Sequence, residues 1–335
     1  MQSLLQLLAF SALAAAVPTS QPALDVAVER VGNSGIKATF RNPGASELKL
    51  LKTGTILGDS PTKKVHVTSG NSPIAFKGMH ITVSDTDLPE TAFVTLPAGG
   101  ALDVNIDIAE IHDLGAGGDY AVRVAGSIPY TTDNGRTLNR VGAKYDAGKI
   151  LSLAVNGEEA LQVHKSAVFQ RAEVIPCTEG QLSSLETAQT NCNDIAAAAP
   201  GGLTKSRMDT WFHAHDADTI ATVKGVYNSL PAGCNSKLQC SPGTYKTCAD
   251  GAVAYQNNGI YLCPVYFNKP VSSSTACHNT QTQGNVLLHE TTHMEANTVD
   301  SAYGYEACIA LSTADALNNA DTYARMGQDI YAGCS

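Results

Sequence analysis

A chain of 335 residues, 43% apolar and 16% charged, predicts two domains more readily than one. The net charge of −9, with no basic run longer than Lys63-Lys64, argues against a nucleic-acid partner. Beyond the N-terminus no apolar run approaches the ~18–20 residues that cross a bilayer, so no membrane partner is expected.

The chain opens with an apolar stretch, Leu4–Ala16, that ends in the small residues Ala14-Ala15-Ala16. This reads as a signal peptide over residues 1–19 and implies a secreted, extracellular protein. No N-x-S/T sequon follows, so N-glycosylation is not expected. Residues 20–171 carry short alternating stretches at Ile36–Phe40, Val65–Thr68, His80–Val83, Leu102–Ile108 and Tyr120–Val124. Turn signals such as Asp133-Asn134-Gly135 and Asn156-Gly157 punctuate them. We read this part as β-sandwich-like, with its own apolar core. At this point it is either a propeptide or a retained module that binds a surface or polysaccharide.

Residues 172–335 read as mostly helical with a small β-sheet, so the fold class as a whole is α+β. Helices are predicted over Gln181–Ala199, across Arg207–Leu230 with a possible break, across Tyr305–Leu317 and over Ala320–Tyr331. Ala252–Tyr255 and Ile260–Phe267 form a predicted hairpin around Asn257-Asn258-Gly259. All nine cysteines lie between Cys177 and Cys334, which in a secreted chain predicts disulfides rather than a metal cluster. This part holds seven Lys/Arg against fifteen Asp/Glu, a balance of −8, while the part before it is nearly neutral. Such a surface attracts basic polypeptides, although solubility alone accounts for it equally well.

The richest signal is Leu287-Leu288-His289-Glu290-Thr291-Thr292-His293, an H-E-x-x-H pattern in an apolar, helix-like setting. Residues four apart share a helix face, so both imidazoles aim at one point, as a tetrahedral Zn²⁺ requires. Glu290 is then placed to act as general base on a metal-bound water. Two histidines leave a catalytic zinc short of a third protein ligand. A His six residues after His293 is ruled out by Val299, and a Glu some twenty residues on by Thr313. His213-x-His215 is discounted as a second metal site, because alternate residues of a helix diverge. His278 is open to a cleft-lining or a structural role.

Downstream stands Asn297-Thr298-Val299-Asp300-Ser301-Ala302-Tyr303-Gly304. It resembles the G-T-x-D-x-x-Y-G signature of the aspzincins, the deuterolysin family of fungal secreted zinc metalloendopeptidases. The pair Cys277-His278, the run Ala316–Ala324 and Cys334 extend the resemblance, which is strong over the last third of the chain and loose from Cys177 onward. It implies a preproenzyme: a β-rich propeptide (20–171), then a zincin-like catalytic domain (172–335) whose edge strand aligns an extended substrate. It also implies one Zn²⁺ held by His289, His293 and Asp300, with Glu290 and Tyr303 catalytic, Tyr303 on the oxyanion. The expected substrates are proteins or peptides, basic ones favoured, and the enzyme is expected to be a monomer. By the same resemblance Cys177 pairs with Cys240, Cys248 with Cys263 and Cys277 with Cys334; Cys192–Cys234 is a fourth candidate, and Cys308 is left as a buried free thiol.

The sequence departs from the signature in three ways. Asn297 replaces Gly, and Asn tolerates the left-handed turn. The segment from His293 to Asp300 is short, so Asp321 stands as the alternative ligand. The Lys-Arg processing site is reduced to Gln170-Arg171, so an unspecified processing protease is expected to act near Arg171. No cysteine precedes Cys177, so latency cannot use a thiolate on the zinc; steric blockage, or an oxygen or imidazole ligand such as His164, must serve. The rival readings are a non-catalytic zinc-binding effector and a secreted protein whose retained N-terminal β-domain does the binding.

Overall fold

Two sheets face each other across one apolar core in the N-terminal half. The larger runs, in spatial order, Phe93–Leu96, Leu48–Leu51, Ala125–Thr131, Asn139–Asp146, Ala23–Val31, Gly35–Arg41 and Ala101–Asp107. The smaller runs Leu151–Val155, Gly118–Arg123, His66–Ser69 and Ser72–Pro73. The computed structural model describes residues 21–131, 137–167, 174–234, 237–271, 277–278 and 280–334. The signal-peptide segment, the Asp133-Asn134-Gly135 turn and the Gln170-Arg171-Ala172 junction lie outside the described residues.

Alternation decides which side chains enter the sandwich core. In Gly35–Arg41, Ile36, Ala38 and Phe40 are buried while Arg41 is exposed. Phe40 meets Tyr145 edge-to-face, with ring centroids 5.2 Å apart. Burying such a side chain contributes about 1.5–3 kcal/mol.

One strand leaves this arrangement. His80–Val83 does not join either sandwich sheet. It pairs antiparallel with Ala252–Gln256 in a four-stranded sheet ordered Leu238–Cys240, Ile260–Leu262, Ala252–Gln256, His80–Val83. Gly78 permits the departure: a Cβ there would lie 1.9 Å from the Pro61 carbonyl oxygen and 2.6 Å from the Phe76 ring. The edge strand expected to be open to substrate is therefore covered by a segment from before residue 171.

The covering strand creates a third apolar cluster. Leu51, Met79, Ile81, Val83 and Phe93 pack there against Tyr245, Ala252, Tyr255 and Cys263. The N-terminal half thus has the core expected for it and also shares another with the C-terminal half.

In the C-terminal half the predicted helices form with adjusted limits. Glu179–Ala198 starts at a Thr178–Gln181 capping box. The region Arg207–Leu230 divides into Lys205–Phe212 and Ala217–Ser229, because His213 adopts a left-handed conformation and Asp216 caps the second piece. The second hairpin strand stops at Leu262 rather than reaching Phe267, since Pro264 opens a 3-10 turn. Tyr305–Leu317 is reduced to two short helices, Tyr305–Cys308 and Thr313–Ala316. Four disulfides, Cys177–Cys240, Cys192–Cys234, Cys248–Cys263 and Cys277–Cys334, staple these elements, and Cys308 is free and buried. Among the described residues no helix is long and apolar enough to cross a membrane.

Candidate metal centre

The H-E-x-x-H pattern lies on the helix Gln283–Ala296, which is buried from Gln283 to His293. Thr282 caps its start in a reciprocal box with Asn285. Asn297 ends it in the left-handed conformation (φ +53°) that the signature's Gly would supply, and its N–H bonds Thr292 O. That turn reverses the chain at once, so Thr298 O accepts from His293 Nδ1 at 2.8 Å. This bond sets the tautomer and turns His293 Nε2 toward His289.

Asp300 arrives on the same short loop. Val299 pairs with the backbone of Asn318 and Ala320, and the Asn319 side chain accepts from the N–H groups of Ser301 and Ala302 at 2.8 and 3.0 Å. Pinned this way, Asp300 Oδ1 lies 3.1 Å from His289 Nε2 and 3.2 Å from His293 Nε2, and the two nitrogens are 3.1 Å apart. A tetrahedral zinc with bonds of about 2.0–2.1 Å has ligand–ligand edges of about 3.3–3.4 Å. The triangle of ligand atoms therefore fits one face of that tetrahedron.

Asp321, the alternative ligand, stands behind the triangle. Its Oδ1 is 3.4 Å from the other ring nitrogen of His289, Nδ1, and its Oδ2 accepts from Gly304 N–H at 2.6 Å and pairs with Arg325 at 3.1 Å. Burial opposes its ionisation, but Arg325 and His289 outweigh burial and hold the carboxyl well below its ordinary range. Burial alone would lower the His289 pKa; hydrogen bonds to Asp300 and Asp321 reverse this and raise it to about 10. The pocket thus concentrates negative charge and calls for a cation.

Glu290 is fully buried and its pKa is raised, chiefly by desolvation. Its Oε1 accepts from Thr82 Oγ1 at 2.7 Å, while Oε2 finds no hydrogen-bond partner among the described residues. Tyr303 lies with its ring parallel to His289, centroids 5.8 Å apart, and donates its hydroxyl to Ile81 O at 2.5 Å. His80 stacks on His293 at 3.9 Å, and its Nδ1 lies 3.1 Å from Asp300 Oδ2. Burial lowers the His80 pKa to about 4, with His293 adding to the effect. The candidate ligand atoms of His80, His293 and Asp300 all lie within 4.8 Å of one another.

The structure thus brings His289, Glu290, His293, Asp300 and Tyr303 together. Sequence reasoning missed His80, Thr82 and Asn319. The strand of the first two was legible but was assigned to the sandwich, and Asn319 was noted only within the run Ala316–Ala324 that extends the resemblance. His164, the imidazole suggested for latency, bonds Ala109 O at 3.0 Å within the N-terminal half and stands apart from the group. His278 is held by Asp329 through its N–H and Nδ1, at 2.6 and 2.9 Å, which is a structural role. His213 and His215 lie in the break between two helices rather than on one, and bond Ile309 O and Asp209 respectively.

A buried H-E-x-x-H helix with a carboxylate closing its histidine pair marks the class of metalloproteases. The family described as "Deuterolysin metalloprotease (M35) family" matches residues 1–334, and the chain belongs to that family. It is 35% identical to "Neutral protease 2 homolog" of Colletotrichum graminicola, over 93% of this chain and 92% of that protein. It is 31% identical to "Probable neutral protease 2 homolog B" of Trichophyton rubrum over the full length of both. It is also similar to a solved zinc peptidase from Grifola frondosa, at 21% identity and a TM-score of 0.39, over 46% of this chain and 97% of the other. The protein is a metalloprotease acting on protein or peptide substrates. Its four disulfides suit an oxidising, extracellular setting.

Proposed function

We propose that the chain is a secreted preproenzyme of a zinc metalloendopeptidase: a signal peptide at 1–19, a propeptide at 20–171 and a catalytic domain at 172–335. His289, His293 and Asp300 would hold one Zn²⁺. The observation that carries this reading is the triangle of ligand atoms 3.1–3.2 Å on a side, of the size of a tetrahedral face. Bound zinc would polarise the scissile carbonyl and acidify the attacking water. Glu290 takes the proton from that water and delivers it to the leaving amine. Its burial supports the role, because a raised carboxyl pKa suits both accepting and giving a proton near neutral pH. Tyr303 donates its hydroxyl to the oxyanion. The −8 balance after residue 171 supports a preference for basic polypeptides.

The test is a set of variants of the processed enzyme, each assayed for activity and zinc content. Glu290→Gln should abolish hydrolysis and keep zinc. Asp300→Ala should lose both. Asp321→Ala should keep zinc with affinity lowered about 10–100-fold, as for other residues that orient a ligand. Full zinc in Asp300→Ala with none in Asp321→Ala would reverse the assignment of the third ligand.

A further inference from the structure

We propose that Arg325 and Lys269 form a carboxylate-binding subsite of the processed enzyme, which takes a carboxylate four residues beyond the scissile bond and is filled in the precursor by Asp85. The proposal rests on the protease reading and the metal site set out above. The strand His80–Val83 marks the path. Gln256, Tyr255 and Ala254 stand opposite His80, Ile81 and Thr82 in an antiparallel ladder, the mode by which a sheet edge takes up an extended peptide. The ladder runs on to Ser84, whose N–H donates to Gly251 O at 3.0 Å. The Ile81 carbonyl accepts from the Tyr303 hydroxyl, so Ile81 stands where the residue before a scissile bond would stand. Asp85 is then the fourth residue on the leaving-amine side.

Groups of the C-terminal half hold this stretch in two ways. The backbone is held whatever its side chains: Gly251 O takes the Ser84 N–H, and Gln281 Nε2 donates to Val83 O at 3.2 Å. The charge of Asp85 is held by Arg325, whose Nη2 lies 3.3 and 3.5 Å from its two oxygens. Arg325 is buried, and its other nitrogens have partners within the C-terminal half. Nε pairs with Asp321 at 3.1 Å, and Nη1 donates to His278 O at 3.4 Å. Nη2 is the donor turned toward the strand.

Lys269 serves the same stretch, with Nζ donating to Ser84 Oγ at 2.9 Å. Burial lowers its pKa, and the carboxylates that counter this are Asp85 and Asp87, both from before residue 171. Arg140, which shares Asp85 at 2.5 Å, belongs to the N-terminal half too. Departure of that half therefore removes Asp85, Asp87 and Arg140 together and leaves two cations beside the open sheet edge. Within a domain whose balance is −8, this is a local site of the opposite sign. A carboxylate is the group that a poorly hydrated guanidinium pairs with best.

The test uses the zinc-loaded precursor after cleavage near Arg171 and removal of the N-terminal half. Internally quenched peptides with a blocked C-terminus carry Asp, Asn or Lys at the fourth position past the bond, and mass spectrometry of the products locates the cut. A further peptide ends at that position in a free carboxylate. The expected kcat/KM is about tenfold higher for Asp than for Asn, and lower again for Lys, as a charge-assisted pair would give. The preference should fall as salt is raised. If the free carboxylate gains as much as Asp, the subsite takes chain ends as well as side chains. Lys269→Met should reduce the Asp preference and Arg325→Gln should abolish it. Because Arg325 also supports Asp321, the ratio of Asp to Asn within one enzyme is read rather than the rate, and the wild-type ratio decides the matter should that variant not fold. Equal kcat/KM on all the peptides, or an Asp preference at another position, would overturn the subsite and leave the protease reading intact. No hydrolysis of any peptide would instead sink the protease reading itself.

Discussion

At the scale of single residues, Tyr303 makes a sharp prediction. It already donates to a backbone carbonyl, that of Ile81, so a substrate carbonyl needs only to replace one peptide oxygen with another. In the processed enzyme Tyr303→Phe should lower kcat by roughly 10²–10³-fold with little change in KM, the usual cost of removing one oxyanion donor. Wild-type kcat with a raised KM would demote Tyr303 to ordinary substrate binding. His289 and His293 were legible in the sequence because helical spacing alone brings them onto one face, and Glu290 as the residue next to the first of them in the H-E-x-x-H pattern. Asp300 and Tyr303 were legible only through a signature, since nothing local tells which carboxylate of a loop turns inward. The Thr82–Glu290 and His80–Asp300 contacts span 208 and 220 residues, and no local pattern encodes such a pairing.

At the scale of elements, the metal site depends on how one loop is stitched to one helix. Asn319 precedes the helix Ala320–Tyr331 and reaches back to two N–H groups and the Ala302 carbonyl of the Asp300 loop. Asn319→Ala should leave those buried groups unpaired at about 1–3 kcal/mol each. We expect a lowered melting temperature together with weaker zinc binding, measured by competition with a chelator. A lowered melting temperature at unchanged zinc affinity would show that the loop holds Asp300 without this stitch. Helix and strand existence was well marked by periodicity, and the left-handed turn at Asn297 follows from the residue type. The failures were at ends and breaks: Pro264 shortens a strand, and residues 309–312 divide the helix expected across Tyr305–Leu317 into two short ones. Caps and breaks of this kind are decided by tertiary hydrogen bonds as much as by propensity.

At the scale of the whole molecule, the two halves were legible as separate regions from the cysteine distribution, and the sandwich from its alternation. What could not be read was that the halves share a sheet. The pattern His80-Ile81-Thr82-Val83 specifies a strand with two different faces, but not which of three sheets receives it. Its polar face suits Glu290 and Asp300, and its apolar face suits Tyr255, so the choice is made by complementarity between distant parts of the chain.

Every disulfide of the described structure closes within the C-terminal half, and no cysteine stands before Cys177. If the backbone is cut near Arg171, as proposed, the N-terminal half would therefore be an independent molecule, retained by affinity alone. Cutting and activation become separable events, the second governed by mass action and by the dissociation rate. Specific activity of a freshly cut sample should rise on dilution, after a lag, and fall again when the purified N-terminal half is added back. Activity independent of dilution and of added N-terminal half would mean that the two pieces part irreversibly or never compete. A secreted precursor built this way would stay quiet where it is concentrated, at its site of release, and become active as it spreads.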